Sequence, residues 1–406
     1  MGGLLFWVVA IWGIILLAGG VRNRVAATQV ESVEVDVVDS SRRDNLISSQ
    51  MVLDMISSQK LVGRKVGEID YTGLESTIAG NGFVDEVKVY CGYRGDLHVE
   101  VSQRQAVARL LVDGYNSYIT RDGFIFAAPR TTALYAQVVT GDYPLLVPRG
   151  YVGSVDDYML ERLSQIDEQI EQIEREKYAL IKQEQANYAE LGKLKYTSQR
   201  MFESREDYVK RFTDLKRFNQ RKREVFAYQQ RQVKLGFEAI ARRVEAKREE
   251  QRRVIRKCDD IHNLLTLLEV LESDRFWRNE VVQLVVSEGD RGEMRVSMSV
   301  RSGGFSVTLG ELLAEYSAHS RNSLSTMMAI GEQHDRLIEG DRLSQRSDYR
   351  IVDHYRSMQR RLVSRSIESK LDRVRYFYDE ALARMGWGLY RDINVEFESQ
   401  VVCRKR

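Results

Sequence analysis

The side chains that most often carry catalysis or bind metals are few in this chain and lie far apart. Three cysteines, Cys91, Cys258 and Cys403, are too few and too scattered for a disulfide scaffold or a zinc site. None of the five histidines has metal-ligand spacing, and the glycine motifs of phosphate loops, dinucleotide sites and hydrolase nucleophiles are absent. The sequence therefore predicts no enzyme, no metal and no cofactor. It leaves open whether two of the cysteines pair.

Composition narrows the class of protein further. The chain has 406 residues and a mass of 47.0 kDa, which suits two or three domains. Hydrophobic residues make up 43% and charged residues 30%, so most of the chain can fold around real cores in water. Lys and Arg number 61 against 59 Asp and Glu, which removes the usual electrostatic argument for a nucleic-acid binder.

The first 21 residues contain no charged side chain, and Leu4 to Leu17 are almost purely apolar. Eighteen helical residues at about 1.5 Å each span roughly 27 Å, enough to cross a bilayer core. We expect a transmembrane anchor at residues 1–21. A cleaved signal peptide is the alternative, but its basic N-terminal region is missing. Arg22 and Arg24 would place the rest of the chain in the cytoplasm by the positive-inside rule, so charge alone leaves the orientation open.

The elements that follow the anchor alternate in a recognisable order. Val33, Val35 and Val37 alternate with acidic residues, which indicates a half-buried strand; two short helices and a hairpin follow. The order β-α-α-β-β predicts a compact module over residues 29–103. Residues 104–155 predict the first part of a β-rich domain, in which glycine turns separate short strands at 106–112, 117–120 and 124–127.

The distribution of proline predicts long helices in the second half. All three prolines lie between residues 129 and 148, and nothing later interrupts a helical backbone. Apolar residues recur with 4-3-4-3 spacing between Met159 and Ile173, which is typical of a coiled coil. We expect residues 156–261 to form a helical insertion that folds back as an antiparallel hairpin, with its turn within 192–207. The sequence does not decide whether this segment pairs within one chain or between two copies.

The remaining third returns to the β-rich domain. Strands are predicted within residues 262–310, a polar helical segment within 311–368, and an amphipathic helix at 370–385. Ile393, Val395 and Phe397 then alternate with polar residues, which predicts a closing strand in the segment 369–406. The predicted fold class is therefore α+β: a transmembrane helix, a β-α-α-β-β module, and a β-rich domain interrupted by a long coiled-coil insertion.

Several short stretches have a distinctive pattern: Val84–Tyr90, Gln103-Arg104, Asp274–Trp277, Lys370–Tyr378, Gly386-Trp387 and Gln400–Cys403. With them the chain resembles FtsQ, a family of bacterial cell-division proteins, in the form found in the Bacteroidetes. The β-α-α-β-β module then corresponds to a POTRA domain. Ala106 departs from the family pattern, which usually has proline there, and residues 156–261 and 311–368 are interpreted as insertions because only their flanks match.

The resemblance implies a single-pass protein of the cell inner membrane, with its bulk in the periplasm and its place at the division septum. It implies a non-catalytic scaffold that binds FtsB- and FtsL-type partners and links early and late division proteins. The partner site would be the closing strand, with Ile393, Val395 and Phe397 packed on the preceding helix and the backbone free at a sheet edge. The predicted partner-binding residues are Ile393, Asn394, Val395, Glu396, Phe397, Gln400 and Val401.

Two other classes remain as alternatives. A different membrane-anchored periplasmic coiled-coil adaptor, for secretion or envelope assembly, would share the anchor and the helical insertion, but the Phe276-Trp277 and Gln400–Cys403 segments argue against it. An envelope enzyme would need a nucleophile or a pair of acids in a recognisable setting. Asp122 and Asp290 are better explained as turn residues, so the sequence offers no such setting.

Overall fold

The computed structural model describes residues 27–38, 46–128, 134–312, 341–397 and 400–406, with side chains from residue 353 onward in the last long helix. The predicted anchor at residues 1–21 and residues 313–340 of the predicted second insertion lie outside this part of the chain. Within it, no helix combines the length and the apolar character that crossing a membrane requires. The described residues form a mixed α+β fold with long helices.

The first module has the predicted β-α-α-β-β order. Its elements are β1 (Ser32–Val38), α1 (Ser49–Ile56), α2 (Tyr71–Ala79), β2 (Val84–Cys91) and β3 (Asp96–Gln103). β3 lies in the middle of a three-stranded sheet, parallel to β1 and antiparallel to β2. Each helix begins at a side-chain cap: the Ser48 hydroxyl accepts from the Met51 amide, and the Asp70 carboxylate accepts from the Gly73 amide. The helices and the sheet enclose a core of buried apolar side chains, among them Ile47, Val52, Leu74, Ile78, Leu97 and Val101.

Ten strands of the described residues form a second sheet. Numbered β4 to β13 in chain order, they are Ala106–Val112, Ser117–Thr120, Phe124–Ala127, Gln137–Gly141, Gly153–Ser154, Val281–Glu288, Met294–Val300, Ser306–Glu311, Tyr390–Asn394 and Val402–Lys405. Their order in the sheet is β13-β12-β11-β10-β9-β7-β4-β5-β6-β8. Strands β4, β5 and β6 form the antiparallel meander that the turn glycines predict, within the predicted bounds. Parallel pairs join β4 to β7, β7 to β9 and β11 to β12, and these link segments far apart in the sequence.

Two long helices, α3 (Val155–Leu191) and α4 (Arg205–Ser273), carry a separate compact unit at residues 157–258. Within this helical hairpin the residue numbers of the partners fall along α4 as they rise along α3. Arg162 pairs with Glu250 at 2.8 Å, Glu176 with Arg243 at 2.6 Å, and Glu190 with Lys222 at 3.3 Å. This descending register shows an antiparallel pair within one chain, with the connection at residues 192–204 inside the predicted range.

The boundaries of the predicted insertions differ from those of the structure. Residues up to Asp156 and from Asp259 onward belong with the two sheets, so the separate unit is narrower than 156–261. α4 also runs without a break past the predicted boundary at 261. A helix carries the same apolar period through a domain boundary, so periodicity locates the helix and not the point where its packing partners change.

The last long helix, α6 (Asp341–Phe377), follows a short α5 (Arg275–Glu280) and the strands β9 to β11. α6 crosses the predicted boundary at 368, so residues 341–368 of the predicted insertion are continuous with the amphipathic helix predicted at 370–385. The helix widens to a π-type turn at residues 378–382, closes with one turn at 383–385 and ends at Gly386, which has a φ of 94°.

Candidate functional site

The segment predicted to be a free edge is an interior strand of the ten-stranded sheet. Ile393 of β12 lies opposite Val307 of the parallel strand β11, and opposite Cys403 of the antiparallel strand β13. The expectation that Ile393 and Asn394 lie at the edge is therefore wrong. The reason is a reversal of the chain after Val395, which brings the Gln400–Cys403 segment back alongside β12 as an additional strand.

The side chains of the predicted strand divide between the core and the surface. Ile393 and Val395 are fully buried, as predicted, whereas Phe397 is 55% exposed, so the prediction that it packs on the helix is wrong. The alternation stops because the Asn394 side-chain oxygen accepts from the Glu396 amide at 2.8 Å and turns the chain out of the strand. Val395 is held at both ends: its amide donates to Thr308 O, and its carbonyl accepts from Arg373.

Polar contacts join α6 to β11 and to the residue that follows β12. Lys370 of α6 is buried, and its ammonium donates to Leu309 O at 2.8 Å and Glu311 O at 2.5 Å. Burial lowers the pKa of Lys370 to about 8. Glu396 forms an ion pair with Arg295, and its side chain covers Gly310, where any Cβ would collide with it. A partner at this edge would meet a preformed surface.

The open edge belongs to β13, because no strand lies beyond it in the part of the chain that the structure describes. The Arg406 amide donates to Leu389 O, toward β12, at 3.2 Å. Successive amides of a strand point in opposite directions, so the amides of Val402 and Arg404 also point toward β12. The amides and carbonyls of Cys403 and Lys405 therefore point away from the sheet, where another strand could pair with them.

A groove of about 710 Å³ lies between α6 and the residue that precedes β13. Its wall on α6 alternates in charge, with Arg365 and Arg373 beside Glu368 and Asp372, and includes Tyr376, which is 71% exposed. Val401 forms part of its other side, and Gln400 next to it is exposed. Of the seven predicted site residues, these two lie nearest to the open edge in the sequence.

Comparison with known families matches two parts of the chain. A model described as a POTRA-like domain matches residues 28–102, which are β1 to β3 with their two helices. A model described as FtsQ/DivIB, C-terminal related, matches residues 344–404, which contain most of α6, all of β12 and most of β13. The two matches together support an FtsQ/DivIB-type cell-division protein. No curated protein matches the sequence.

The open edge of β13 lies within the part of the chain that matches the FtsQ/DivIB C-terminal model. Residues 344–404 include the α6 wall of the groove, the two-sided strand β12 and the outward-facing Cys403. The match also begins at residue 344, inside the segment 311–368 that the sequence predicts as an insertion. Nearly all of α6 and the strand pair therefore fall within one matched region.

A buried charge network holds α6 to the start of α3 and to α4, and sequence reasoning missed it. Arg356 of α6 donates to the Asp156 carboxylate at 2.8 and 3.0 Å and to the Asp259 carboxylate at 2.5 Å. The Tyr355 hydroxyl donates to the other Asp259 oxygen at 2.9 Å. His262 Nε2 lies 3.0 Å from Asp156 Oδ2.

Burial and charge act in opposite directions on the pKa of Asp156. Burial alone would raise the pKa of Asp156, but the hydrogen bond from His262 and the charge of Arg356 outweigh it and hold the pKa well below its usual range. Burial and the nearby Arg356 charge lower the pKa of His262. The Asp156 carboxylate therefore stays ionised beside Arg356 at neutral pH, and the network fastens the helix that lies beneath β12.

Asp260, next to this network, is buried, and its carboxylate accepts hydrogen bonds from a tyrosine hydroxyl and a backbone amide. Oδ2 accepts from the Tyr143 hydroxyl at 2.8 Å and from the Met294 amide at 3.2 Å. Burial raises the pKa of Asp260 from 3.8 to about 7, and the charges of Asp259 and Glu311 add to the effect.

The raised pKa of Asp260 predicts how stability changes with pH. The folded state binds this proton more tightly than the unfolded chain, so its contribution is lost as the pH rises from about 4 to about 7. We expect Asp260→Asn, which keeps an acceptor for Tyr143, to remove this fall and to gain on the order of 2 kcal/mol over the wild type at pH 8. Urea denaturation at pH 5 and pH 8 measures the free energy of unfolding of both proteins. If the free energy of unfolding of Asp260→Asn falls between the two pH values as much as that of the wild type, the assignment of this proton to Asp260 is contradicted.

Proposed function

We propose that this protein is a non-catalytic scaffold of the division machinery, which binds FtsB- and FtsL-type partners and links early and late division proteins at the septum. Its soluble domains would lie in the periplasm, with residues 1–21 as the anchor in the inner membrane. The proposal goes beyond the cell-division role that the two family matches indicate.

The open edge of β13 is the observation that supports this proposal best. A strand edge with unpaired backbone groups is a template for another chain, and added strands gain affinity from main-chain hydrogen bonds. The Cys403 and Lys405 backbone groups supply such an edge, on a strand that β12, β11 and α6 hold in place. The adjacent groove, with its alternating charges and Tyr376, offers side-chain contacts that would select among partners.

Localisation in dividing cells tests this proposal. We expect the full chain, tagged with a fluorescent protein, to gather at midcell before constriction becomes visible, because a scaffold must be in place before later proteins arrive. Time-lapse microscopy of synchronised cells measures the order of the two events. Uniform membrane fluorescence throughout the cell cycle would contradict a role in division.

A further inference from the structure

The connection between the helices of the hairpin exposes three large apolar side chains. Tyr196, Met201 and Phe202 are 82%, 86% and 99% exposed, and all lie within the 13 residues that join α3 to α4. Single exposed apolar residues are ordinary on protein surfaces, but three in one short connection are a patch. The feature belongs to the hairpin itself, far along the chain from β13.

Hydrogen bonds fix the conformation that presents these side chains. The Glu203 carboxylate accepts from the Arg200 amide at 2.9 Å and from two nitrogens of Arg211 at 2.9 and 2.6 Å. Arg211 also donates to Ser198 O at 3.0 Å and to the Thr197 hydroxyl. The connection is therefore tied to α4 from both of its halves.

Two further features show that the exposure is built into the backbone. Phe202 has a φ of 67°, in the left-handed region that a bulky residue rarely adopts. The Asn219 side chain donates to Lys195 O at 2.7 Å and accepts from the Lys195 amide at 3.3 Å, which fixes the chain beside Tyr196. The backbone is therefore fixed on both sides of the exposed side chains.

The charge around the patch is strongly positive. Residues 193–205 carry Lys193, Lys195, Arg200 and Arg205 against a single acid, Glu203, whose charge is paired with Arg211. Over residues 190–223, eleven basic residues face five acidic ones, in a chain whose total charge is nearly balanced. The excess of positive charge is therefore concentrated at the end of the hairpin that carries the exposed patch.

We propose that the tip of the helical hairpin docks on an anionic membrane surface, with Tyr196, Met201 and Phe202 inserted among the lipid headgroups and the surrounding cations paired with lipid phosphates. Aromatic and methionine side chains beside lysine and arginine are the composition of interfacial membrane anchors. Each cation near an anionic surface adds to the attraction. Three side chains on a tight connection cover too little area for a stable protein interface of roughly 1,000 Å² or more.

The test places a tryptophan at the tip and measures whether lipid reaches it. The full chain with Phe202→Trp is incorporated in nanodiscs of neutral lipid, and vesicles of brominated phosphatidylglycerol are added. We expect quenching of at least half of the added fluorescence. The matched control is Tyr178→Trp, at a position on α3 that is 74% exposed, where we expect no quenching. Brominated phosphatidylcholine vesicles should quench at least tenfold less at equal lipid concentration.

A second variant distinguishes insertion of the apolar side chains from attraction of the cations to anionic lipid. Tyr196→Ser, Met201→Ser and Phe202→Ser together leave every cation in place, and we expect the affinity of the full chain for phosphatidylglycerol vesicles to fall at least tenfold. Equal quenching at positions 178 and 202, no quenching at either, or unchanged affinity of the triple variant would overturn the proposal. The tip would then be a surface for a protein partner or for a second copy of this chain.

Discussion

Replacing Lys405 by proline is expected to weaken binding of an FtsB-type partner roughly 10- to 100-fold while the fold remains intact. The Lys405 amide points away from the sheet, so proline there removes a donor to the partner and none of the bonds between β13 and β12. An acceptor of the partner strand is then left buried and unpaired, which costs about 1–3 kcal/mol. Titration of the purified full chain with the partner measures the affinity, and the melting temperature of the variant shows whether the fold is intact.

Two neighbouring variants serve as controls for the proline. Lys405→Ala keeps the backbone donor and should bind within about threefold of the wild type, which separates the amide from the side-chain charge. Arg404→Pro removes a donor that points toward β12, so we expect it to detach β13 and lower the melting temperature. Wild-type affinity in a folded Lys405→Pro protein would rule out strand addition at β13.

Replacing Arg356 by methionine is expected to cost about 3–5 kcal/mol of the free energy of unfolding. Asp156 and Asp259 both pair with this guanidinium, so its removal takes a counter-charge away from two buried carboxylates. Methionine keeps most of the length of the side chain, so the loss reports the charge rather than a cavity. Urea denaturation at pH 7, followed by near-ultraviolet circular dichroism, measures the change.

Arg360→Met is the matched control for the network. Arg360 lies one turn further along α6 and pairs with Glu269, but its side chain is half exposed. Removing an exposed ion pair costs about 1 kcal/mol or less. Equal losses for the two variants would contradict the view that the Arg356 network, rather than helix charge in general, holds α6.

Local patterns predicted the elements well, because the information they need is local. The strands at 106–112, 117–120 and 124–127 have the predicted bounds, since Gly114 and Gly123 adopt positive φ at the turns between them. The hairpin connection at 192–204 falls where the apolar period lapses. In each case the deciding residues lie within a few positions of the element that they shape.

Pairing between distant segments explains what the sequence could not predict. Nothing in the alternation of Ile393 and Val395 shows that β11 lies parallel on one side and β13 on the other. A second strand after a short reversal turns the expected edge into an interior strand, and the same alternation fits both arrangements. The sequence assigned the open edge to β12, whereas the edge strand is β13.

The buried charge network shows the same limit for side chains. Asp156, Asp259 and Arg356 are separated by about a hundred residues at each step, and each lies in a helical stretch where charged residues are common. Charge on a helix is usually solvated, so the sequence favours the surface for all three. Only the packing of α6 against the ends of α3 and α4 brings them together.

Amide hydrogen exchange at β13 tests strand addition most directly, because it reads the backbone groups that would pair. In the free full chain we expect slow exchange at Val402 and Arg404, which face β12, and fast exchange at Cys403 and Lys405. Saturation with the FtsB-type partner should slow Cys403 and Lys405 at least tenfold and leave Val402 and Arg404 nearly unchanged. If the partner is fully bound and the amides of Cys403 and Lys405 still exchange as fast as in the free chain, binding at this edge is contradicted.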